Sequence, residues 1–273
     1  ADARRDRAMS ASSGFSAAWL GLRESADARA RCIELADAVA DHVRGVPRLH
    51  VHDLGCGTGS MRRWLAPRLP QPQHWVLHDR DPGLLALAAG GAEEVEEVEA
   101  RLGDVSALTA RDLAGADLVT TSALLDLLTA REVDGLAVAC TGAGCAVLFT
   151  LSVAGRVELT PADPLDGEIA AAFDLHQRRN VHGRRLLGPD AVAGASDSFT
   201  RLGATVQVRP SPWRLGPDEA ALTAAWLEGW VGAAAEQRPD LPVGDYLLRR
   251  SAEAGDGRLR VVVHHADLLA LPR

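Results

Sequence analysis

One run of ten residues carries most of the chemistry that can be read: Val51-His52-Asp53-Leu54-Gly55-Cys56-Gly57-Thr58-Gly59-Ser60. Its three glycines stand at alternate positions, two residues behind an aspartate. Glycine lets a backbone turn sharply and lets a ligand come close where a Cβ would otherwise stand. The apolar residues before the run read as a strand, and Met61, Trp64 and Leu65 after it form a helical stripe. A glycine loop between a first strand and the next helix lies at the ligand crevice of an open α/β sheet.

Two adenosine cofactors compete for such a loop. A dinucleotide fold spaces its glycines G-x-G-x-x-G, so that the last packs the helix and the pyrophosphate meets the helix N-terminus. Here the spacing is G-x-G-x-G, and Asp53 precedes it. A carboxylate there repels pyrophosphate but suits a ligand with an ammonium group, which favours S-adenosylmethionine. Asp79, closing the next apolar stretch at 74–79, suits ribose hydroxyls in either case.

Three further segments follow in order: His78-Asp79-Arg80-Asp81-Pro82-Gly83-Leu84-Leu85, then Leu102-Gly103-Asp104-Val105, then residues 116–125 ending in Ser122-Ala123-Leu124-Leu125. Together with the loop they resemble the motifs of class I S-adenosylmethionine-dependent methyltransferases, over residues 49–153. The resemblance implies a seven-stranded Rossmann-like sheet whose last strand is antiparallel. It also implies a cofactor site. The amides of Gly55, Cys56, Gly57 and Gly59, with Asp53, would hold the methionine end. Asp79 would take the ribose, and Asp104 and Val105 the adenine. Arg80 and Ser122 complete the expected cofactor contacts.

Methyl transfer from a sulfonium is an in-line displacement, so the protein must align an acceptor and, where needed, remove its proton. The fourth-strand exit, Thr120-Thr-Ser-Ala-Leu-Leu-Asp126, lacks the Asn/Asp-Pro-Pro-Tyr/Phe signature of base methylation. Asp126 is a catalytic candidate there, against a plain role at a helix start. Leu165, Ile169, Ala172 and His176 recur at helical spacing. That makes His176 a candidate general base, with an ordinary pKa of ~6.5, or else a core histidine. Arg178 and Arg179, close to Arg184 and Arg185, are candidates to clamp a substrate carboxylate or phosphate, against a solvated loop. Trp19 and Trp213 are candidate aromatic walls for the acceptor. The expected acceptor is a small molecule, with oxygen ahead of nitrogen on family base rates alone. No carboxylate cluster suggests a metal, and metal-independent transfer is expected. The competing functions are a nicotinamide-dependent oxidoreductase and a non-catalytic S-adenosylmethionine-binding protein.

The elements that must position these residues follow from pattern. Strands are expected at 49–54, 74–79, 95–102, 116–121, 143–153, 204–209 and 258–265. Helices are expected at 25–45, after the glycine loop, at 82–89, from a Thr129/Glu132 capping box, and at 165–177, 190–202 and 218–236. The class is α/β: one doubly wound, mostly parallel sheet in a single domain. It comprises an N-terminal helical cap (1–45), a cofactor-binding core (46–153), a substrate-side helical insertion (154–202) and C-terminal strands with a helix (203–273). Composition is ordinary for a globular chain of 273 residues, with 47% hydrophobic and 24% charged. All 29 basic residues are arginine, which excludes Schiff-base and P-loop lysine chemistry. The net charge of −8 argues against general nucleic-acid binding. Four cysteines without CxxC spacing argue against a zinc site or a disulfide framework. Apolar runs fall short of the ~20 residues that span a bilayer, so no membrane partner is expected. No secretion signal is read, and a cytoplasmic location is expected.

Overall fold

The computed structural model describes residues 16–90 and 96–273. The first fifteen residues of the expected N-terminal cap, and Val95 in the expected third strand, lie outside the described residues. The chain runs α1 (Ala17–Ala30), α2 (Ile33–His42), β1 (Leu49–Leu54), α3 (Ser60–Leu65), β2 (Gln73–Asp79), α4 (Pro82–Ala89), β3 (Glu96–Leu102) and β4 (Leu118–Ser122). It continues through α5 (Ala130–Ala143), β5 (Ala146–Thr160), α6 (Asp166–Gln177), β6 (Asn180–Val181), β7 (Arg184–Arg185) and α7 (Ala191–Arg201). The last elements are β8 (Thr205–Pro210), β9 (Trp213–Leu215), α8 (Ala220–Gln237), α9 (Val243–Gly255) and β10 (Arg260–Leu271).

The main sheet has the order β3-β2-β1-β4-β5-β10-β8, with β9 also paired to β10. Strands β1 to β5 are parallel neighbours, and β10 runs antiparallel to β5, β8 and β9. This is the expected doubly wound sheet with an antiparallel strand inserted near one edge. The parallel strands put β1 and β4 side by side with their exits together, which opens a crevice at the change in strand order.

Strand β5 shows how sequence sets depth. Its first seven residues, Ala146 to Ser152, are buried, and burial then alternates along Val153 to Thr160. The first part is therefore central, and the second faces solvent on one side. Helices α2, α3 and α4 cover one face of the sheet through Leu35, Val39, Met61, Trp64 and Leu85. Helices α5 and α7 cover the other through Leu136, Cys140 and Phe199. Helices α6, α8 and α9 pack on the outer reach of β5 and β10 through Ile169, Trp230, Tyr246 and Val261. The capping box of α5 forms as expected: Glu132 N–H donates to Thr129 Oγ1 at 3.2 Å, and Thr129 N–H to Glu132 Oε2 at 2.8 Å.

Two local expectations are corrected. The single helix expected at 25–45 is two helices, broken at Arg31 and Cys32. The break places the Cys32 N–H on Asp267 Oδ2 at 2.8 Å and turns Arg31 inward. The insertion expected to be helical from 154 instead begins as strand, because β5 continues to Thr160, and it contains the β6–β7 hairpin. Among the described residues, no helix is long and apolar enough to cross a membrane.

Candidate active site

The glycine loop leaves β1 with Gly55, Gly57 and Gly59 all left-handed, at φ of 63°, 55° and 83°. Side chains at all three positions would be strained and crowded, the Cβ of one at Gly55 lying 3.2 Å from a Leu124 methyl. A Cβ at Gly59 would lie 3.2 Å from the Ala88 Cα, and one at Gly57 would lie 3.1 Å from a Leu20 methyl. The loop is anchored from β2: Cys56 N–H donates to the His78 carbonyl at 2.9 Å, and Gly57 N–H to Asp79 Oδ2 at 2.8 Å. The second oxygen of Asp79 accepts from Asp81 N–H at 2.9 Å.

Asp53 is 1% exposed and in register with Thr120 of β4. Its Oδ1 accepts the Thr120 hydroxyl at 3.0 Å, while its buried Oδ2 has no hydrogen-bond partner among the described residues. Burial pushes the carboxyl up to about 7, against the pull of the Thr120 bond and the Arg31 charge. An unpartnered buried carboxylate oxygen is costly, and a cationic ligand relieves it. Asp104 caps the short turn Val105–Ala107, accepting Ser106 N–H at 2.9 Å. That bond holds its carboxyl below the usual carboxylate range. Arg31 closes the floor, donating to Ser60 Oγ at 2.8 Å and to Ser122 Oγ at 3.1 Å.

The glycine loop, Asp53, Ser60, Asp79, Asp104 and Ser122 line one crevice of about 630 Å³, with Arg31 behind the lining. Of the sequence-predicted cofactor residues it brings together Asp53, Gly55, Cys56, Gly57, Asp79, Arg80, Asp104, Val105 and Ser122. Gly59 instead forms the contact between α3 and α4 behind the loop. The far end of the crevice is made by Leu20, Arg23 and Asp27 of α1, the β4 exit from Ala123 to Leu128, and the hairpin with its flanks. Ala123 is held at φ 53°, a conformation rare for a residue with a side chain, where β4 turns into the crevice.

The predicted acceptor residues are placed less uniformly. Arg179 lines the crevice. Arg178 does not: its guanidinium is paired with Asp190 at 2.7 Å and borders an adjoining groove. Trp213 is a buried support and not a wall. Its Nε1 donates to Asp27 Oδ1 at 2.9 Å, and its ring lies 4.9 Å below the Arg23 guanidinium. Trp19, 6.4 Å from Trp213, flanks the same arginine at 5.9 Å and likewise stands outside the lining. His176 also stands outside it. The last turn of α6 points its ring at α8, where Nε2 is 3.0 Å from Glu236 Oε2, and the Arg179 guanidinium covers Nδ1 at 3.2 Å. Asp126 sits in the short turn Leu125–Leu127 and stands outside the lining, although its neighbours Leu124 and Leu127 are part of it. Burial pushes its carboxyl up to about 6, opposed by the charges of Arg23 and Arg179.

Sequence reasoning missed Arg23, Asp27 and Arg31. Arg23 donates to both oxygens of Asp27, at 2.9 and 3.2 Å, within the crevice wall. The only signal in sequence is an Arg/Asp pair four apart on a helix, which reads equally as a solvated ion pair.

Residues 51–144, from β1 past the end of α5, match the family model described as a methyltransferase domain. No curated protein is similar enough in sequence to match the chain. Among solved structures, the YcgJ protein of Bacillus subtilis is similar with a TM-score of 0.51 at 15% identity, over 89% of this chain and 100% of that one. A mycolic acid cyclopropane synthase, crystallised with SAH and CTAB, is similar with a TM-score of 0.50 at 14% identity, over 87% of this chain and 83% of that one. At these identities the likeness speaks for the fold. The segment matched by the family model holds the glycine loop, Asp79, Asp104 and Ser122, the cofactor end of the crevice.

Proposed function

We propose that the chain is a class I, S-adenosylmethionine-dependent methyltransferase that methylates a small-molecule acceptor, at oxygen ahead of nitrogen; the match of residues 51–144 to a methyltransferase-domain model supports this. One observation supports the cofactor assignment above the rest: the buried, unpartnered Asp53 Oδ2 beside a loop of left-handed glycines. On this reading Asp53 holds an ammonium. The amides of Cys56, Gly57 and Gly59 are already committed to His78, Asp79 and Cys56, so they fix the shape of the loop and do not bind the cofactor carboxylate. Asp79 is placed for ribose hydroxyls, with Asp104 and Val105 toward the adenine. The cofactor supplies a sulfonium methyl, an electrophile that needs no activation by the protein.

What the chain adds is alignment. Leu124, Leu127 and Leu128 wall the acceptor end and exclude water, and α1 closes it with Leu20 and Arg23. No imidazole is among the described residues that line the crevice. Asp27 accepts three hydrogen bonds, two from Arg23 and one from Trp213, so most of its acceptor capacity is already engaged. Catalysis then rests first on proximity and orientation. For an acceptor that must lose a proton, Asp126 is a candidate base that stands behind the lining residues Leu124 and Leu127, its carboxyl raised by burial to about 6. The net charge of −8 fits a small cytoplasmic substrate better than a nucleic acid.

Calorimetric titration with S-adenosylhomocysteine, and separately with NAD, tests the reading. Saturable S-adenosylhomocysteine binding that weakens in both Asp53→Ala and Asp79→Ala is expected. Binding of NAD in its place overturns it.

A further inference from the structure

The acceptor end of the crevice joins an apolar wall to a cation, Arg179, that forms no ion pair among the described residues. With the cofactor residues set aside, the wall consists of Leu20, Leu124, Leu127, Leu128, Val181 and Leu186. Arg179 and Arg184 stand at its edge. The edge is carried by the β6–β7 hairpin, whose turn is held by Gly183 N–H donating to Asn180 Oδ1 at 2.7 Å, with His182 and Gly183 left-handed. Strand alternation sends Arg184 and Arg185 to opposite sides. Arg184 borders the crevice, while Arg185 borders only the adjoining groove of about 940 Å³.

Three other arginines at the crevice or its rim are committed to acids, Arg23 to Asp27, Arg178 to Asp190 and Arg184 to Glu132, while Arg80, at the cofactor end, forms no ion pair among the described residues. Arg179 and Arg185 form no ion pair among the described residues. Arg179 uses one terminal nitrogen on the His176 carbonyl at 3.0 Å and on the His176 ring. Its Nε and its other terminal nitrogen make no hydrogen bond among the described residues, leaving two donor nitrogens in the fork that recognises a carboxylate or phosphate. In a chain of net charge −8, an unpaired cation at the mouth of a leucine-lined pocket selects for a complementary ligand.

We infer that the acceptor is an apolar molecule bearing one carboxylate or phosphate, its body against the leucine wall and its anion on Arg179. Arg185 extends the same positive field into the groove. The inference rests on the methyl-transfer reading of this crevice and names its substrate class.

The chain saturated with S-adenosylhomocysteine is titrated with octanoate, with octyl phosphate and with uncharged octanamide. At least one anionic probe is expected to bind roughly tenfold tighter than octanamide, the scale of a charge-assisted hydrogen bond. Arg179→Gln is expected to abolish that preference while S-adenosylhomocysteine affinity stays within about twofold. Arg156→Gln, which removes an exposed ion pair with Glu158 on β5, is expected to keep the preference. The tighter of the two anions distinguishes carboxylate from phosphate. Equal binding of all three probes, no binding of any, or a preference that survives Arg179→Gln overturns the inference. If S-adenosylhomocysteine itself fails to bind, the methyltransferase reading falls separately. The same probes without it then decide the anion site by the same criterion.

Discussion

The two ends of the crevice are built by different means. The cofactor end is made of residues adjacent in sequence at strand exits: Asp53 with the glycines after β1, Asp79 and Arg80 after β2, Asp104 and Val105 after β3. It is built from backbone amides and short acids held by hydrogen bonds of 2.8 to 3.0 Å. The acceptor end is assembled from α1, the β4 exit and a two-residue hairpin, segments more than 150 residues apart from first to last. Its polar groups are long arginine side chains resting on other side chains. Rigid local geometry suits a ligand of fixed chemistry. Long side chains on separate elements can be exchanged one at a time, and they carry specificity.

The strongest test of this contrast is Gly59→Val. At φ 83°, with the Ala88 Cα 3.2 Å from the new Cβ, the substitution forces left-handed strain and displaces α4. It should cost about 2 kcal/mol of stability or more and abolish S-adenosylhomocysteine binding. Binding kept within a few-fold in calorimetry would show that the cofactor end is not rigid. Asp53→Asn comes next. Its carboxyl, near 7 when folded, holds a proton that the unfolded chain releases near the ordinary value. Stability from this group is therefore full in acid and falls from about pH 4 to 7, by up to ~1.4 kcal/mol per pH unit. Urea unfolding at pH 5 and 7.5 should show that loss in the native chain and a smaller one in the variant. The affinity for S-adenosylhomocysteine should rise over the same range in the native chain alone, since an ammonium ligand favours the ionised form.

Arg23→Lys probes the other end. It removes the two-pronged hold on Asp27 and should lower turnover roughly three- to tenfold with cofactor binding nearly unchanged. An equal loss in cofactor affinity would mean that the two ends are one coupled unit. The smallest effect is expected of His176→Gln. Paired with Glu236 outside the crevice, it should leave turnover within about twofold and its pH profile unmoved.

The same contrast explains what could be read in the sequence. The glycine loop, Asp79 and the capping box of α5 were legible because each is a local pattern with a local cause. The break between α1 and α2 was not, because its cause is Asp267, 235 residues further on. The spacing of Leu165, Ile169, Ala172 and His176 correctly gave a helix, and Ile169 and Ala172 are buried. Spacing names a face but not its neighbour, and at the last turn that neighbour is Glu236 and not the crevice. Arg179 and Arg178 were indistinguishable as adjacent arginines. Only Asp190, brought beside one of them by the fold, separates their roles. Helix α9, bound to α6 by the Tyr246 and Arg250 contacts to Asp166, left no motif that spacing alone would select.

Strand β10 lies between β5 and β8, yet it follows both in the chain. During synthesis, the two flanking strands therefore emerge before the strand that must separate them, and their direct pairing is a trap that the nascent chain has to avoid. Asp267 makes late arrival matter. From β10 it accepts from Cys32 N–H, from Leu151 N–H and from the Ser211 hydroxyl, tying together the α1–α2 break, the middle of β5 and the turn after β8. The parallel half of the sheet can be in place while the ribosome is still at work. The α1–α2 break that Asp267 ties down is complete only once β10 has threaded home.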